Sequence, residues 1–598
     1  MTLAVHLLGR ARIDDPTREV YRFRSQKSWA LLSLVYLSDR PRARSEIAEL
    51  LFPTADDPLG ALRWNLAELR RALGAEALVT GDPVVLRLPP GATVDVDELI
   101  HGSWPQALRN PDLGSGLLEG LAPQGSIGFD IWLTAQRRRL AAATEAVLHE
   151  AALGLHADGD HAGAIDCASR AVALEPLDEN LQALKIRLLR EAGDVQGARE
   201  AYEACRRLLR EELGTEPGFA VESAWRTEPV GSRSNAATTA ALLESGQAAV
   251  AAGAVAAGMT SLRAAVDLAD QSESADLRVR TRVVLAETLI HSVRGLDEEG
   301  IAALHEADVI ARDSGQTSAV AQIRSEIGYV DFLRARYDRA ARWLSEALAL
   351  AGDDVDTRVR AQMYLGSVQS DRGDYLRAID NLTEAVDLAR GAGLSRRAAY
   401  TLSMLGRARL LRGECGLATE AFREAIALCE TEHWLSFVPW PQALLGESLL
   451  AQGDAEAAHD ALEAAFARAC QVGDPCWEGI SARGLALVAD ARGDAEFAFD
   501  LLDDAESRSS RVADAYIWLD GHILDARCLL GLRHRHPSTE AWIGELLELA
   551  ERTDMRELRI RALVHGAAFG NPDDLKAAQS LAASIDSPAM RRLVEQIG

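Results

Sequence analysis

Four residues in the stretch PLGALRWNLAELRRALG, 58–74, carry groups suited to nucleic acid: Arg63, Trp64, Arg70 and Arg71. A guanidinium offers a planar fork of donors that matches two acceptors on guanine, and a good bidentate pair discriminates by about 1–3 kcal/mol. The same group neutralises phosphate without reading sequence. Leu62, Leu66, Leu69 and Leu73 recur at helical spacing and predict one buried stripe, which turns Arg63 and Arg70 outward with Arg71 beside them. Arg63 lies in the N-terminal half of this helix and is the first candidate for base contact; Arg70 and Arg71 suit phosphate. Trp64 either stacks on sugar or packs beneath a neighbour. The competing reading is a solvated charged face that pairs with Glu68.

These side chains need elements to hold them. Asp57 followed by Pro58 is a helix start, a capping carboxylate with Pro at the first helical position, and Gly74 is a stop. Upstream, SQKSWALLSLVYLSD (25–39) and RSEIAELLF (44–52) predict two amphipathic helices, and LAVHLLGRARI and EVYRFR predict strands. Downstream, ALVTGDPVVLRL (77–88) predicts a hairpin turning at Gly81-Asp82-Pro83. Strands, three helices and a hairpin is the order of an OmpR/PhoB-type winged helix, whose third helix enters the major groove while the hairpin lies along the duplex. In that order Arg24, Lys27 and Arg44 are candidate phosphate anchors, and Arg87 on the hairpin is a candidate minor-groove probe.

The charge distribution sharpens the question. The chain has 598 residues and a formal net charge of −26, yet residues 1–80 hold 12 Lys+Arg against 10 Asp+Glu, and the rest hold 52 against 80. A neutral-to-basic head on an acidic body disfavours loose sliding on DNA and places weight on correct orientation. Only three lysines occur, at 27, 185 and 576, and none follows a glycine, which excludes a P-loop. The seven cysteines form no CxxC pair, no HExxH or GxSxG appears, and no metal, cofactor or enzymatic activity is expected. Cys476 in GDPCWEG reads as a packing residue. No run of about 18 apolar residues is present and the N-terminus reads as a strand, so a cytoplasmic protein without a membrane partner is expected.

The body is self-similar. GDHAGAIDCASRAVALEP (159–176) and GDVQGAREAYEACRRLLR (193–210) repeat at an offset of 34, and glycines 373, 413, 453 and 493 stand 40 apart. Small residues fall seven before the turn (Gly246, Gly328, Gly366, Gly406, Gly446) and at +5 and +12, as at Ala378 and Ala385. A turn followed by small residues at crossing points predicts helix pairs that stack because no pair can cover its apolar face alone. The pattern resembles the tetratricopeptide repeat, with longer helices than the usual 34-residue spacing gives. Residues 221–240, rich in Ser, Thr, Pro and Gly, break it. First-helix positions expected to line a concave groove include Arg324, Tyr329, Met363, Tyr400, Arg407, Trp440, Glu447 and Arg483; their mixed aromatics and arginines suit a peptide or a carboxylate-bearing metabolite, and equally suit packing.

RSEIAELLFPTADDPLGALRWNLAELRRALG resembles the DNA-binding domain of SARP-type (Streptomyces antibiotic regulatory protein) regulators, and SQKSWALL is similar to their first helix, with Lys27 in the place of its lysine. FDIWLTAQRRRL (129–140), the two helix pairs and LLREELGTEPG (208–218) are similar to the bacterial transcriptional activator domain (BTAD) that follows it in that family. The resemblance covers about residues 1–225. It implies a mostly α protein: a winged helix over 1–100, an activator domain over 101–222, a linker over 223–238 and an α-solenoid over 239–598. It implies a sequence-specific transcriptional activator that binds double-stranded promoter DNA and contacts RNA polymerase. Homodimerisation, and a peptide, protein or small-molecule effector at the repeats, stay open. The alternative is an interaction scaffold whose winged helix no longer binds DNA, since Asp56 and Asp57 would face phosphates.

Overall fold

The computed structural model describes residues 3–14, 23, 25–38, 41–74, 78–100, 102–121, 127–226, 236–251, 255–293, 297–511 and 516–597. The chain divides into two compact units, Met1–Ala151 with Glu551–Thr553, and Ala152–Ala550 with Asp554–Gly598.

In the first unit, β1 (Ala4–His6) pairs antiparallel with β2 (Arg12–Asp14). Three helices follow: α1 (Gln26–Leu37), α2 (Arg44–Leu51) and α3 (Pro58–Leu73). The hairpin β3 (Leu78–Thr80) and β4 (Val85–Arg87) comes next, and β5 (Thr93–Val94) returns to run parallel to β1. This is the winged-helix order, and the predicted boundaries of all three helices fall within two residues of the observed ones. The expected strand EVYRFR lies almost wholly outside the described residues, and Arg24 lies outside them too. Trp29, Leu31, Leu34, Ile47, Leu51 and Val79 form the core around the leucine stripe of α3. The start of α4 (Asp95–Ile100) is tied to the end of β1: Asp95 is buried and accepts from the amides of Leu7 and Leu8, each at 2.9 Å. Those two bonds satisfy backbone donors that no strand partner covers.

The second unit is helical throughout the described residues. Its repeats show how Gly-Asp builds a turn: the glycine takes a left-handed conformation, as at Gly193 (φ 81°) and Gly453 (φ 87°), and the following aspartate caps the next helix. Asp160, Asp194 and Asp454 accept from the amides of Gly163, Gly197 and Ala457. That one side-chain bond serves amides the helix leaves unpaired.

The second small residue of each repeat has a different cause. A Cβ added at Gly328, Gly366, Gly406 or Gly446 would lie 2.5–2.7 Å from Leu344, Leu382, Phe422 or Leu462, each 16 residues further on in the antiparallel helix. Absence of a side chain lets the two helices close on one another. The alanines at +5 and +12, including Ala378, Ala385, Ala418, Ala425, Ala458 and Ala465, are fully buried in the same seam.

Ion pairs tie successive repeats, for example Arg372–Asp338 at 2.9 Å and Arg492–Glu456 at 2.8 Å. The last helices, Arg556–Phe569, Pro572–Ala582 and Pro588–Glu595, return to the middle of the array. The Tyr375 hydroxyl donates to Glu557 at 2.5 Å, Arg372 pairs with Asp554 at 2.9 Å, and Arg412 pairs with Asp586 at 2.8 Å. No helix among the described residues is long and apolar enough to cross a membrane.

Candidate functional site

The arginine-bearing helix is set by its own sequence. The Asp57 carboxylate accepts from the Gly60 amide at 2.8 Å, Pro58 occupies the first turn, and the Gly74 amide closes the end by donating to the Arg70 carbonyl. Leu62, Leu66, Leu69 and Leu73 are buried, so Arg63, Arg70, Arg71 and Trp64 are turned outward. Trp64 is 45% exposed, which removes the alternative that it packs beneath the hairpin. Glu68 points inward, where Ser28 donates to it. It is buried, and the expectation of a surface ion-pair partner for the arginines is corrected on that ground. The acid near Arg63 is instead Asp57, at 3.4 Å, with both side chains two-thirds exposed. A pair so open to water is worth little.

The flanking cations divide. Arg70 Nε donates to the Val79 carbonyl at 2.7 Å, and Arg44 Nε donates to the Gly81 carbonyl at 2.9 Å while its amide meets Asp82. Both therefore brace the hairpin with one face of the guanidinium. Arg71 Nε donates back to the Ala67 carbonyl at 3.2 Å, and Arg87 is exposed on β4. Lys27 departs from the expected phosphate anchor: its ammonium donates to the Leu51 carbonyl at the end of α2 and lies 5.4 Å from the Phe52 ring centre. Burial lowers its pKa, with Asp130 opposing. It caps a helix C-terminus from inside the unit.

In the second unit, a cavity of about 610 Å3 opens on the inner helices of the repeats. Its wall is a ladder of rings. His291 stacks on Tyr329 at 5.1 Å and Tyr329 on Tyr364 at 4.6 Å. Tyr364 meets Tyr400 edge-on at 6.1 Å, Tyr400 stacks on Phe437 at 4.8 Å, and Phe437 stacks on Trp434 at 4.4 Å and meets Trp477 edge-on at 5.9 Å. Tyr329, Tyr364 and Phe437 are buried, whereas Tyr400, Trp434 and Trp477 are half-buried.

Both arginines in this wall are paired with acids. Arg360 pairs with Glu326, with Asp356 at 3.1 Å and with Glu287 at 3.6 Å. Arg397 pairs with Asp356 at 2.7 Å, and His291 meets Glu326 at 2.8 Å. Burial acts to raise the Glu326 carboxyl, but Arg360 and His291 outweigh it and hold that carboxyl below the ordinary range. Asp474 is spent as a cap, accepting from the amides of Cys476 and Trp477.

Of the residues expected in a groove, Tyr329, Tyr400 and Trp440 line this cavity. The others are corrected. Arg407 is fully buried, paired with Asp371 at 2.5 Å, donating to Tyr516 and lying 4.6 Å from the Trp518 ring centre. Met363 is fully buried as well. Arg324 is taken by Asp308 at 3.1 Å and Glu346 at 2.8 Å, and Glu447 and Arg483 pair with each other. One residue along a helix turns a side chain by 100°, so a set chosen by repeat position alone mixes lining with core.

Sequence reasoning passed over Tyr364, Phe437, Trp434, Trp477, Arg360 and Arg397. A signal was present: Tyr329, Tyr364, Tyr400, Phe437 and Trp477 follow one another at 35, 36, 37 and 40 residues, close to one repeat each.

Residues 96–226 match the bacterial transcriptional activator domain, and residues 357–431 match the tetratricopeptide repeat. The chain thus carries a bacterial transcriptional activator domain followed by tetratricopeptide repeats, and both are regulatory or interaction modules. No curated protein matches the chain. Among solved structures it is similar to a Rap protein complexed with competence and sporulation factor (12% identity, 61% of this chain and 100% of that one, TM-score 0.42). It is also similar to yeast Tom70 (13%, 77% and 87%, 0.32) and to Mycobacterium tuberculosis EmbR in complex with a low-affinity phosphopeptide (18%, 38% and 66%, 0.29).

Proposed function

We propose that the protein is a sequence-specific, DNA-binding transcriptional activator whose α3 lies in the major groove and whose repeat array senses an effector or holds a partner. One observation carries the reading: on a helix held by a buried leucine stripe, Arg63, Trp64, Arg70 and Arg71 all face solvent. Arg63 reads a base edge, with only a weak exposed contact to Asp57 to give up. Arg71 and the free edges of Arg70 and Arg44 meet phosphate, and Arg87 reaches the minor groove from the hairpin. Residues 1–100 act as the DNA-binding domain, 101–222 as the activator domain that meets RNA polymerase or a second copy, 223–238 as a linker and 239–598 as the sensing array, all in the cytoplasm. With no hydrolysed cofactor in the scheme, the effector acts by differential affinity for DNA-competent and masked states.

A gel-shift titration against genomic promoter fragments, repeated from 50 to 200 mM salt, tests the reading. Retardation of a subset of fragments, falling steeply with salt, is expected. Arg63→Ala should weaken that binding by about 1–3 kcal/mol and relax base preference at one position. Absence of any retardation at the lowest salt favours the second reading, a scaffold that has lost DNA binding. The acidic pair Asp56-Asp57 at the start of α3 is the observation on that side.

A further inference from the structure

We infer that the cavity of the repeat array takes a flat, ring-bearing small molecule without negative charge, held by stacking on the half-buried rings of Tyr400, Trp434 and Trp477. The inference rests on the reading of the array as the sensing part, and it names the chemistry of what is sensed.

Three observations carry it. First, the volume of about 610 Å3 falls inside the roughly 300–1,000 Å3 of sites that enclose drug-sized molecules. Second, the ring ladder from His291 to Trp477 is continuous within the wall, with successive ring centres 4.4–6.1 Å apart. Its buried rungs pack on one another. The rungs Tyr400, Trp434 and Trp477 are half-buried, so they retain ring surface for a further ring. Arg396 lies 5.8 Å from the Trp434 ring centre.

Third, carboxylates outnumber arginines in the lining, Glu287, Glu326 and Asp474 against Arg360 and Arg397. Arg360 and Arg397 share Asp356, Glu326 is met by Arg360 and His291, and Asp474 caps a helix. An anionic ligand would have to displace one of these carboxylates from its arginine or lie among the acidic excess, whereas a neutral one leaves every pair in place.

A peptide fits less well. Each residue of an extended chain brings one amide donor and one carbonyl acceptor that must be met on burial. A side-chain amide offers a donor and an acceptor side by side, and Gln247 is the single amide among the residues lining the cavity; the other groups of both kinds are separate hydroxyls, such as Thr288, Ser436 and Ser509. The rest of the lining is dominated by ring faces and charged groups.

The test uses the full chain without DNA, so its outcome is independent of whether the winged helix binds a promoter. The probe is N-phenyl-1-naphthylamine, neutral and aromatic, titrated by its own fluorescence and by calorimetry. Its sulfonated counterpart, 8-anilino-1-naphthalenesulfonate, is titrated in parallel. Expected is one saturable site, with the neutral probe bound about tenfold or more tighter than the sulfonate. Tyr400→Leu and Trp434→Leu, which keep apolar bulk and remove the rings, should each weaken the neutral probe about fivefold or more while the thermal transition stays in place. Trp477→Leu is the third variant should either of those lose its transition. Trp64→Leu, on α3, should leave probe binding unchanged. Four results overturn the inference. One is the lack of a saturable site, and another is affinity indifferent to the ring-removing variants. The third is a sulfonate bound as tightly as the neutral probe. The last is blocked hexa-alanine, a main-chain ligand without rings, bound as tightly as the probe.

Discussion

Arginine serves opposite ends in the two units. On α3, Arg63 stands two-thirds exposed with one weak acidic contact, backed by leucines that never touch its charge. In the array, Arg407 is fully enclosed, gripped by Asp371, Tyr516 and the Trp518 ring. The sequence presents both as an arginine on one face of an amphipathic helix. What separates them is what lies across from that face: solvent in one case, Asp371 of the preceding repeat and the start of the helix Ile517–His534 in the other. An exposed guanidinium keeps its donors for a partner and adds little to stability, while an enclosed one is committed to the fold. The same contrast divides Lys27, which closes the end of α2, from the cations still open at the surface.

The largest test of this contrast is Arg407→Ala. It leaves Asp371 buried without its counter-charge and should destabilise the array by about 3–5 kcal/mol, read from urea unfolding followed by helical circular dichroism. A loss below about 1 kcal/mol would show that the pair is not needed where it sits.

Gly406→Ala comes next. The added methyl would lie 2.6 Å from the Phe422 ring, and the seam must open to admit it. About 1–3 kcal/mol is expected, against a gain in helix propensity of about 1 kcal/mol, so the net sign in the same unfolding assay is decisive. A stabilised variant would mean the helices are free to part.

The pH dependence of stability gives a smaller effect. Burial pushes the Asp520 carboxyl up to about 7, with Ser509 opposing and Glu506 adding to the rise. An acid whose pKa is raised on folding keeps its proton in the folded state while the unfolded chain loses it. Its stabilising share is therefore present below about pH 4 and lost as pH rises towards 7. Asp520→Asn should remove that slope and stabilise the array at pH 8 by about 1–2 kcal/mol, measured by denaturant melts from pH 5 to 8. Unchanged slopes would place the titration elsewhere.

Smallest in stability is Arg63→Ala, expected within about 0.5 kcal/mol of the parent by the same melts, although the proposed base contact predicts a large effect on DNA retardation. A strong destabilisation would erase the distinction between outward and inward arginines.

Local sequence settled a good deal. Asp57-Pro58 and Gly74 bounded α3, the leucine spacing fixed its buried face, and Gly-Asp marked the repeat turns, because capping, turn formation and helical periodicity act within a few residues. The small residue seven before each turn was legible for a related reason: it recurs wherever two helices of one repeat must touch. The resemblance of residues 1–225 to a regulator family was carried by motifs of the same local kind.

Tertiary structure alone decided which side chains face the cavity. Met363 and Tyr364 are neighbours in the chain, yet Met363 is fully buried in the core while Tyr364 is a rung of the ring ladder. Tyr516 and Trp518 reach Arg407 across more than a hundred residues, and Glu557 meets Tyr375 across 182. A helix places its neighbours 100° apart, and the small rotation from repeat to repeat accumulates along a solenoid, so no local pattern fixes what lies opposite. The repeats were determined by spacing, and the chemistry inside them by the stacking of one upon the next.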